Sequence, residues 1–253
     1  MSALDANHQP RNLDPAEVAR FEEQAALWWD ATGPFRPLHQ IGPARLEFIR
    51  RAVIDHFCLS DEMARPLSGL NVLDVGCGGG LVSEPLARLG GDVTGIDPAP
   101  GNIGTARTHA RMSGLDITYR DARAEDLAED KVTFDVVNCL EVIEHVPDPA
   151  AFVQTLATLV RPGGLLTLST LNRTAKSFAL AIVGAEYILR WLPRGTHDWN
   201  RFVKPEELEE YTRAAGLTGF TTQGLTYDPL RDCWQLSSDI GVNYLAHVAR
   251  PPD

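Results

Sequence analysis

The sequence predicts a single α/β domain in which a mostly parallel sheet is covered by helices on both faces. Apolar strand-like runs and amphipathic helical stretches alternate between residues 72 and 169, and short connections join them. Such alternation is typical of parallel strands linked by crossover helices. A glycine-rich turn at residues 76–80 follows the first strand, and sheets of this kind bind ligands at the carboxyl ends of their strands. A length of 253 residues fits one such domain, so we expect residues 1–253 to form one unit.

The first 60 residues predict a helical cap that precedes the sheet. Asp14 and Pro15 favour a helix start, because aspartate caps the first turn and proline suits the first helical position. We expect this helix to continue to about Asp30, before the turn at residues 32–34. A second helix is expected after Pro43.

The rest of the chain predicts seven strands. Five are expected at residues 72–75, 93–97, 117–119, 134–139 and 165–169, and two more at 217–227 and 242–249. Helices are expected at residues 80–90, 101–113, 149–161 and 204–215. Residues 174–200 interrupt the alternation after the fifth strand and predict a helical insert.

Composition excludes several classes of protein. The formal net charge of -11 disfavours nucleic-acid binding, because an acidic surface repels the phosphate backbone. The four cysteines form no C-x-x-C pair, so neither a zinc ribbon nor a thioredoxin site is indicated. The polar first residues do not suggest a signal peptide, and no run of about 18 apolar residues suggests a membrane-spanning helix.

The strongest motif is D-V-G-C-G-G-G, which begins at Asp74 and includes Gly76 and Gly78. A dinucleotide fingerprint would need a further glycine where Leu81 stands, and the Gly-Lys-Ser/Thr of a phosphate loop is absent. The remaining D-x-G-x-G-x-G pattern resembles the first motif of class I S-adenosylmethionine-dependent methyltransferases. A glycine-rich turn with purely structural carboxylates is the alternative interpretation.

Three further residues follow strands and complete the predicted cofactor site. Asp97 ends the second strand, where an acidic side chain can accept hydrogen bonds from both ribose hydroxyls. Asp121 follows the third strand, where related methyltransferases often contact the adenine amine. Leu140 follows the fourth strand and is placed to pack on the adenosine or methionine part of the cofactor.

Glu141, Glu144 and His145 follow the fourth strand and predict the chemical centre. In a helical turn these positions share a face, so two carboxylates and an imidazole could bind a divalent cation such as Mg²⁺. Alternatively, His145 serves as the general base that deprotonates a phenol, whose pKa is about 10. A solvated helix start in which His145 only caps or packs is the third interpretation.

The insert carries apolar side chains between residues 178 and 192, with basic residues at its edges. This pattern is typical of a helix that lies at a membrane interface, and a lid packed over the domain would have the same composition. The two interpretations are compatible, because a lid that covers an apolar substrate tail would have the same composition as a helix at a membrane interface.

Several stretches together resemble the ubiquinone-biosynthesis O-methyltransferases. They are Trp28-Trp29-Asp30, residues 35–39 and 43–46, the glycine motif, Glu144-His145-Val146-Pro147-Asp148-Pro149, residues 169–173, Val183-Gly184-Ala185-Glu186-Tyr187-Ile188-Leu189, residues 195–198 and Val242-Asn243-Tyr244. The resemblance implies a Rossmann-like class I fold and O-methylation of 2-polyprenyl-6-hydroxyphenol and of 3-demethylubiquinol. The cofactor would be S-adenosyl-L-methionine, with S-adenosyl-L-homocysteine as the product.

The resemblance also implies roles for individual residues. Cofactor contacts would come from Arg45, Gly76, Asp97 and Leu140, with Arg45 reaching the cofactor carboxylate. Residues 174–198 would contact membrane lipid, which implies a cytoplasmic protein at the inner face of the membrane and possible contacts with other quinone-biosynthesis proteins. Two rival functions remain: methylation of another small aromatic or lipid acceptor, and lipid binding without catalysis.

Overall fold

The computed structural model describes residues 12–180 and 198–253, and within these ranges the predicted α/β fold is confirmed. Eight strands form one sheet in the order β3-β2-β1-β4-β5-β8-β6-β7. The strands are β1 Asn71–Val75, β2 Asp92–Asp97, β3 Thr118–Asp121, β4 Phe134–Leu140, β5 Val160–Leu171, β6 Thr218–Asp228, β7 Cys233–Ser237 and β8 Asn243–Ala249. Predictions for residues 1–11 and for 181–197, which hold most of the insert, lie outside the described residues.

The first five strands are parallel and create a crevice between β1 and β4. From β1 the chain moves outward to β2 and β3, then crosses to β4 and β5 on the other side. Val75 at the end of β1 pairs with Ile96 on one side and with Cys139 on the other. The carboxyl ends of these strands therefore meet at one edge, next to the point where the chain reverses direction, which is the ligand site of such sheets.

The sheet has eight strands and not the predicted seven. Residues 233–237 form the additional strand β7, which pairs antiparallel with β6 so that Tyr227 lies opposite Trp234. Trp234 and Leu236 point to the same side of this strand and pack against the apolar cluster that includes α2, whereas Gln235 is exposed. The alternation is only five residues long, and for that reason the sequence pattern did not reveal it.

Helices cover both faces of the sheet. They are α1 Pro15–Glu23, α2 Arg36–His56, α3 Ser83–Arg88, α4 Pro100–Met112, α5 Ala124–Glu129, α6 Pro149–Leu159, α7 Ala175–Ser177 and α8 Pro205–Ala214. Side chains of α2 and α3 form one buried cluster with the sheet, and those of α5, α6 and α8 form another. No helix among the described residues is long and apolar enough to cross a membrane.

Two predicted helix boundaries in the N-terminal cap are wrong. The first helix is capped by Asp14, as expected, but it ends at Glu23 instead of Asp30, because residues 25–27 form a 3-10 turn that carries Trp28 towards the sheet. The second begins at Arg36 and not after Pro43. Ile41 is already buried two residues before this proline, so the apolar face of the helix extends upstream and Pro43 lies within the helix.

Candidate active site

A cavity of about 1060 Å³ lies at the carboxyl ends of the parallel strands. One wall consists of residues that follow β1, β2 and β4, and the opposite walls come from α1, α2 and the β6–β7 hairpin. The strand-end wall is rich in acids, since it contains Asp74, Asp97, Glu141 and Glu144. The wall between α2 and the hairpin is apolar and contains Leu38, Ile41, Leu225, Pro229 and Trp234. The cavity therefore has chemically different sides.

The glycine turn after β1 forms the floor of the acidic side. Gly76 has a φ of 69°, and a Cβ at this position would lie 2.4 Å from a methyl carbon of Val142. Glycine avoids both the backbone strain and this clash. The turn is tied to β2, because the N–H groups of Gly76 and Cys77 both donate to the carbonyl oxygen of Ile96.

Asp97 is a buried carboxylate that joins the glycine turn to α4. Its Oδ2 accepts from the N–H of Gly78 at 3.0 Å, and its Oδ1 accepts from the N–H of Ala99 at 2.9 Å and from Nδ2 of Asn102 at 3.1 Å. Burial raises the pKa of Asp97, and these hydrogen bonds act in the opposite direction. A carboxylate has about four acceptor positions, so one on Oδ2 is still open.

Asp74 is buried more deeply than Asp97. Its Oδ2 accepts from the hydroxyl of Ser83 at 2.5 Å, and 2% of the residue is exposed. Burial raises the pKa of Asp74 to about 7, with a further contribution from the charge of Asp97. This carboxyl group holds the first turn of α3 against β1 and adds to the acidity of the cavity wall.

Arg45 brings a guanidinium from α2 to the acidic side. Its Nη2 lies 2.9 Å from Oε1 of Glu141, which also accepts from the hydroxyl of Ser169 at 2.7 Å. The residue is 5% exposed, and its buried Nε has no hydrogen-bond partner among the described residues. Because an unpaired buried donor is costly, Arg45 is suited to bind an additional anion.

His145 is held by the N-terminal helix. Its Nδ1 lies 2.9 Å from Oε2 of Glu17, and its ring is nearly perpendicular to that of Phe21 at a centroid distance of 5.7 Å. Burial acts to lower the pKa of His145, but the hydrogen bond to Glu17 and the charge of Glu144 raise it overall. Nε2 makes no hydrogen bond with the described residues, so this nitrogen is available on a ring that lines the cavity.

Comparisons with known proteins agree on a methyltransferase. Residues 46–222 match the family described as a methyltransferase domain. A ubiquinone biosynthesis O-methyltransferase from Azorhizobium caulinodans is 53% identical over 239 residues, which cover 94% of each chain. A protein of the same name from Cereibacter sphaeroides is 52% identical over 240 residues, covering 94% of this chain and 97% of that one.

The chain belongs to the ubiquinone biosynthesis O-methyltransferase family.

Solved structures agree with this assignment at the level of the fold. Magnesium protoporphyrin IX methyltransferase from Synechocystis, with bound S-adenosylhomocysteine, has a TM-score of 0.63 and 21% identity, covering 92% of this chain and 94% of that one. A plantazolicin methyltransferase has a TM-score of 0.62 and 14% identity, covering 93% and 98%. This O-methyltransferase therefore has the Rossmann-like class I fold, and its cofactor is S-adenosylmethionine.

The acidic side of the cavity fits this cofactor. The unpaired Nε of Arg45 suits the cofactor carboxylate, and the open acceptor position on Asp97 suits a ribose hydroxyl. The carboxyl groups of the strand-end wall suit a sulfonium, which carries a positive charge. In this O-methyltransferase the residues present therefore match the carboxylate, the ribose and the sulfonium of the cofactor.

The predicted Mg²⁺ site does not have the geometry expected from the sequence. Glu141 has a φ of 55°, and only Ile143–His145 form a 3-10 turn, so the expected helical turn over residues 141–145 is wrong. Glu141 pairs with Arg45, Glu144 accepts from the hydroxyl of Thr170 at 2.8 Å, and His145 pairs with Glu17. No three side chains in the described part of this O-methyltransferase are grouped closely enough to hold a metal ion.

Most of the predicted site residues of this O-methyltransferase lie in one place. Eight of them line the cavity: Arg45, Asp74, Gly76, Asp97, Leu140, Glu141, Glu144 and His145. Gly78 lies beneath the indole of Trp28, and Asp121 is exposed at the end of β3 outside the cavity lining. Sequence analysis missed Glu17, Asn102 and the β6–β7 hairpin, because their positions depend on contacts between distant parts of the chain.

Proposed function

We propose that this O-methyltransferase methylates phenol and catechol rings that carry a polyprenyl tail, namely 2-polyprenyl-6-hydroxyphenol and 3-demethylubiquinol. The observation that carries the proposal is the two-sided cavity, in which an acidic, polar side meets an apolar side. The polar side suits the cationic cofactor and the reacting hydroxyl, while the apolar side suits the tail. The names of the two relatives support the same class of acceptor.

We assign the cofactor contacts as follows. Arg45 binds the carboxylate, Asp97 accepts from the ribose, and Leu140 packs against the cofactor from the end of β4. The glycine turn from Asp74 through Gly78 supports the amino-acid end. A contact of Asp121 with the adenine amine stays a prediction, as does a Mg²⁺ ion bound by Glu141, Glu144 and His145, and the mechanism below uses neither.

The cavity walls align the acceptor and remove its proton. When bound, the cofactor supplies an electrophilic methyl carbon on sulfur, which the acceptor oxygen attacks in line as the carbon–sulfur bond breaks. Nε2 of His145 takes the proton of the hydroxyl, and Glu17 stabilises the resulting imidazolium through Nδ1. The electron pair of the broken bond stays on sulfur, so the product is S-adenosylhomocysteine. The surrounding side chains position the reactants and exclude water.

The apolar side guides the tail towards the surface. The apolar lining comes from Leu38 and Ile41 of α2 and from Leu225, Pro229 and Trp234 of the hairpin. Leu180, within the predicted insert, also lines the cavity. Leu180 is 54% exposed and Leu230, at the hairpin tip, is 96% exposed. Exposed apolar side chains at the mouth of an apolar cavity suit contact with membrane lipid. We therefore place the protein peripherally at the inner face of the membrane.

The first prediction concerns the acceptor. Purified protein should transfer a labelled methyl group from S-adenosylmethionine to a short-tailed 3-demethylubiquinol analogue, and faster than to an untailed catechol, because the apolar side binds the tail. The same assay with a set of untailed aromatic acceptors is the control. Equal rates with and without the tail would favour a different aromatic or lipid acceptor, and absence of cofactor binding would favour a lipid-binding protein.

The second prediction concerns His145. Replacing His145 by Ala should lower kcat about 100-fold while the KM for the cofactor changes little, since general bases contribute factors of this size. In the unmodified protein kcat should rise with pH through a pKa above 6.5, because the imidazole must be neutral to accept a proton and its pKa is raised.

The variant Glu17→Gln tests the role of His145 as the base by changing the residue that pairs with its Nδ1. Loss of the carboxylate should move this pH dependence to lower pH, because the hydrogen bond that raises the pKa of His145 is weakened. His56→Gln is the matched control, since His56 contacts the carbonyl oxygen of Gly163 away from the cavity. An unchanged kcat and pH profile in His145→Ala would remove His145 from the mechanism.

The third prediction concerns the membrane. The double substitution Leu180→Ser and Leu230→Ser should weaken binding to phospholipid vesicles at least about tenfold, because two exposed leucines lose their transfer into the apolar phase. Met63→Ser with Met112→Ser is the control, since both methionines are exposed but belong neither to the predicted insert nor to the β6–β7 hairpin. Equal vesicle binding by the two double variants would exclude this surface as the membrane contact.

A further inference from the structure

A tryptophan from the N-terminal cap covers the glycine turn. Trp28 is 7% exposed, and its indole lies so close to the turn that a Cβ on Gly78 would be 2.3 Å from a ring carbon. Phe35 stacks on the indole at a centroid distance of 3.9 Å and an interplanar angle of 6°. The cap is thus packed directly against the backbone of the predicted cofactor motif.

The indole N–H begins a buried chain of hydrogen bonds that ends on Asp97. Nε1 of Trp28 donates to Oδ1 of Asn102 at 2.7 Å, and Nδ2 of Asn102 donates to Oδ1 of Asp97 at 3.1 Å. Asn102 is 1% exposed and Asp97 is 7% exposed, so water does not compete freely with these bonds. The cap and the carboxylate at the end of β2 are therefore connected by polar contacts as well as by packing.

The chemistry of the indole fixes the donor-to-acceptor direction of these hydrogen bonds. An indole N–H only donates, whereas a side-chain amide presents a donor on one side and an acceptor on the other. When Trp28 occupies the amide oxygen of Asn102, the amide nitrogen faces Asp97 and donates to Oδ1. Oδ1 thereby receives two donors, and the open acceptor position of Asp97 is left on Oδ2.

We propose that Trp28 is a positioning residue for the ribose of the cofactor, acting through Asn102 on Asp97. The proposal rests on the assignment of Asp97 to the ribose made above. The amide holds the carboxylate in one orientation, so that Oδ2 is presented to a ribose hydroxyl without further reorganisation. The cap is then part of the cofactor site, although Trp28 need not touch the reacting atoms.

Trp29 provides a matched control from the same cap. Its Nε1 donates to the carbonyl oxygen of Gly79 at 2.8 Å, and its ring stacks on His109 at a centroid distance of 3.4 Å. Trp29 therefore binds the same glycine turn through one hydrogen bond and α4 through one stacking contact, but it does not lie on the path to Asp97. A substitution here tests the packing of the cap without breaking the chain of hydrogen bonds.

The experiment measures the affinity of the full-length protein for S-adenosylhomocysteine and for its 2′,3′-dideoxy analogue by calorimetry. Trp28→Phe keeps an aromatic ring and removes the N–H, so we expect the Kd for S-adenosylhomocysteine to rise about tenfold. The Kd for the dideoxy analogue should change less than about threefold, because the analogue lacks the hydroxyls that Asp97 binds. Trp29→Phe should change both affinities by the same factor.

The possible results separate this inference from the proposed function. Equal weakening of both ligands by Trp28→Phe would assign Trp28 a packing role, and unchanged affinities would remove it from the site; either result overturns the inference while leaving the proposed function intact. If the unmodified protein bound neither ligand, both would fail. If Trp28→Phe does not fold by circular dichroism, Asn102→Ala breaks the same chain and carries the same expectation.

Discussion

The buried carboxylate of Asp97 organises the cavity on which the rest of the site depends. It receives one hydrogen bond from the glycine turn, one from the start of α4 and one from Asn102. These donors offset the cost of burying the carboxylate, and they also fix the relative positions of the segments that supply them. Since Asn102 in turn binds Trp28, the N-terminal cap is joined to the same carboxylate.

A second link between the cap and the strand ends is the pair of Glu17 and His145. One partner lies on α1 and the other follows β4, and both line the cavity. The cap thus contacts the cofactor side through Trp28 and the chemical centre through Glu17. A change that displaced α1 would therefore affect the orientation of the proposed base together with the shape of the cofactor site.

The sequence predicted the parts of the fold that local patterns determine. Strands β1 to β5, the glycine turn, the capping role of Asp14 and the position of Asp97 follow from short-range periodicity and turn chemistry. Strand β7 was missed, because its alternation is brief and depends on packing of Trp234 against α2. The early end of α1 and the pairing of Glu17 with His145 were also missed. The residues that follow α1 bind α4 through Ala25 and Trp28, and Glu17 and His145 are far apart in the chain.

The site residues likewise divide into those that the sequence indicated and those whose placement it could not predict. Family resemblance indicated Arg45, and spacing after the fourth strand indicated the candidate metal ligands. The cavity brings Arg45 beside Glu141. The relative placement of Glu141, Glu144 and His145 could not be predicted, because it depends on the left-handed backbone at Glu141 and on partners from β5 and α1. Local spacing identifies which residues follow a strand, but not the direction in which each side chain is held.

The most direct test of this account is a crystal structure of the protein with bound S-adenosylhomocysteine. The account predicts the ligand carboxylate within hydrogen-bond distance of Arg45 and a ribose hydroxyl on Oδ2 of Asp97. It also predicts that the indole of Trp28 remains over the glycine turn with its N–H on Asn102. A ligand bound away from Asp97, or a cap displaced so that Trp28 no longer contacts Asn102, would contradict it.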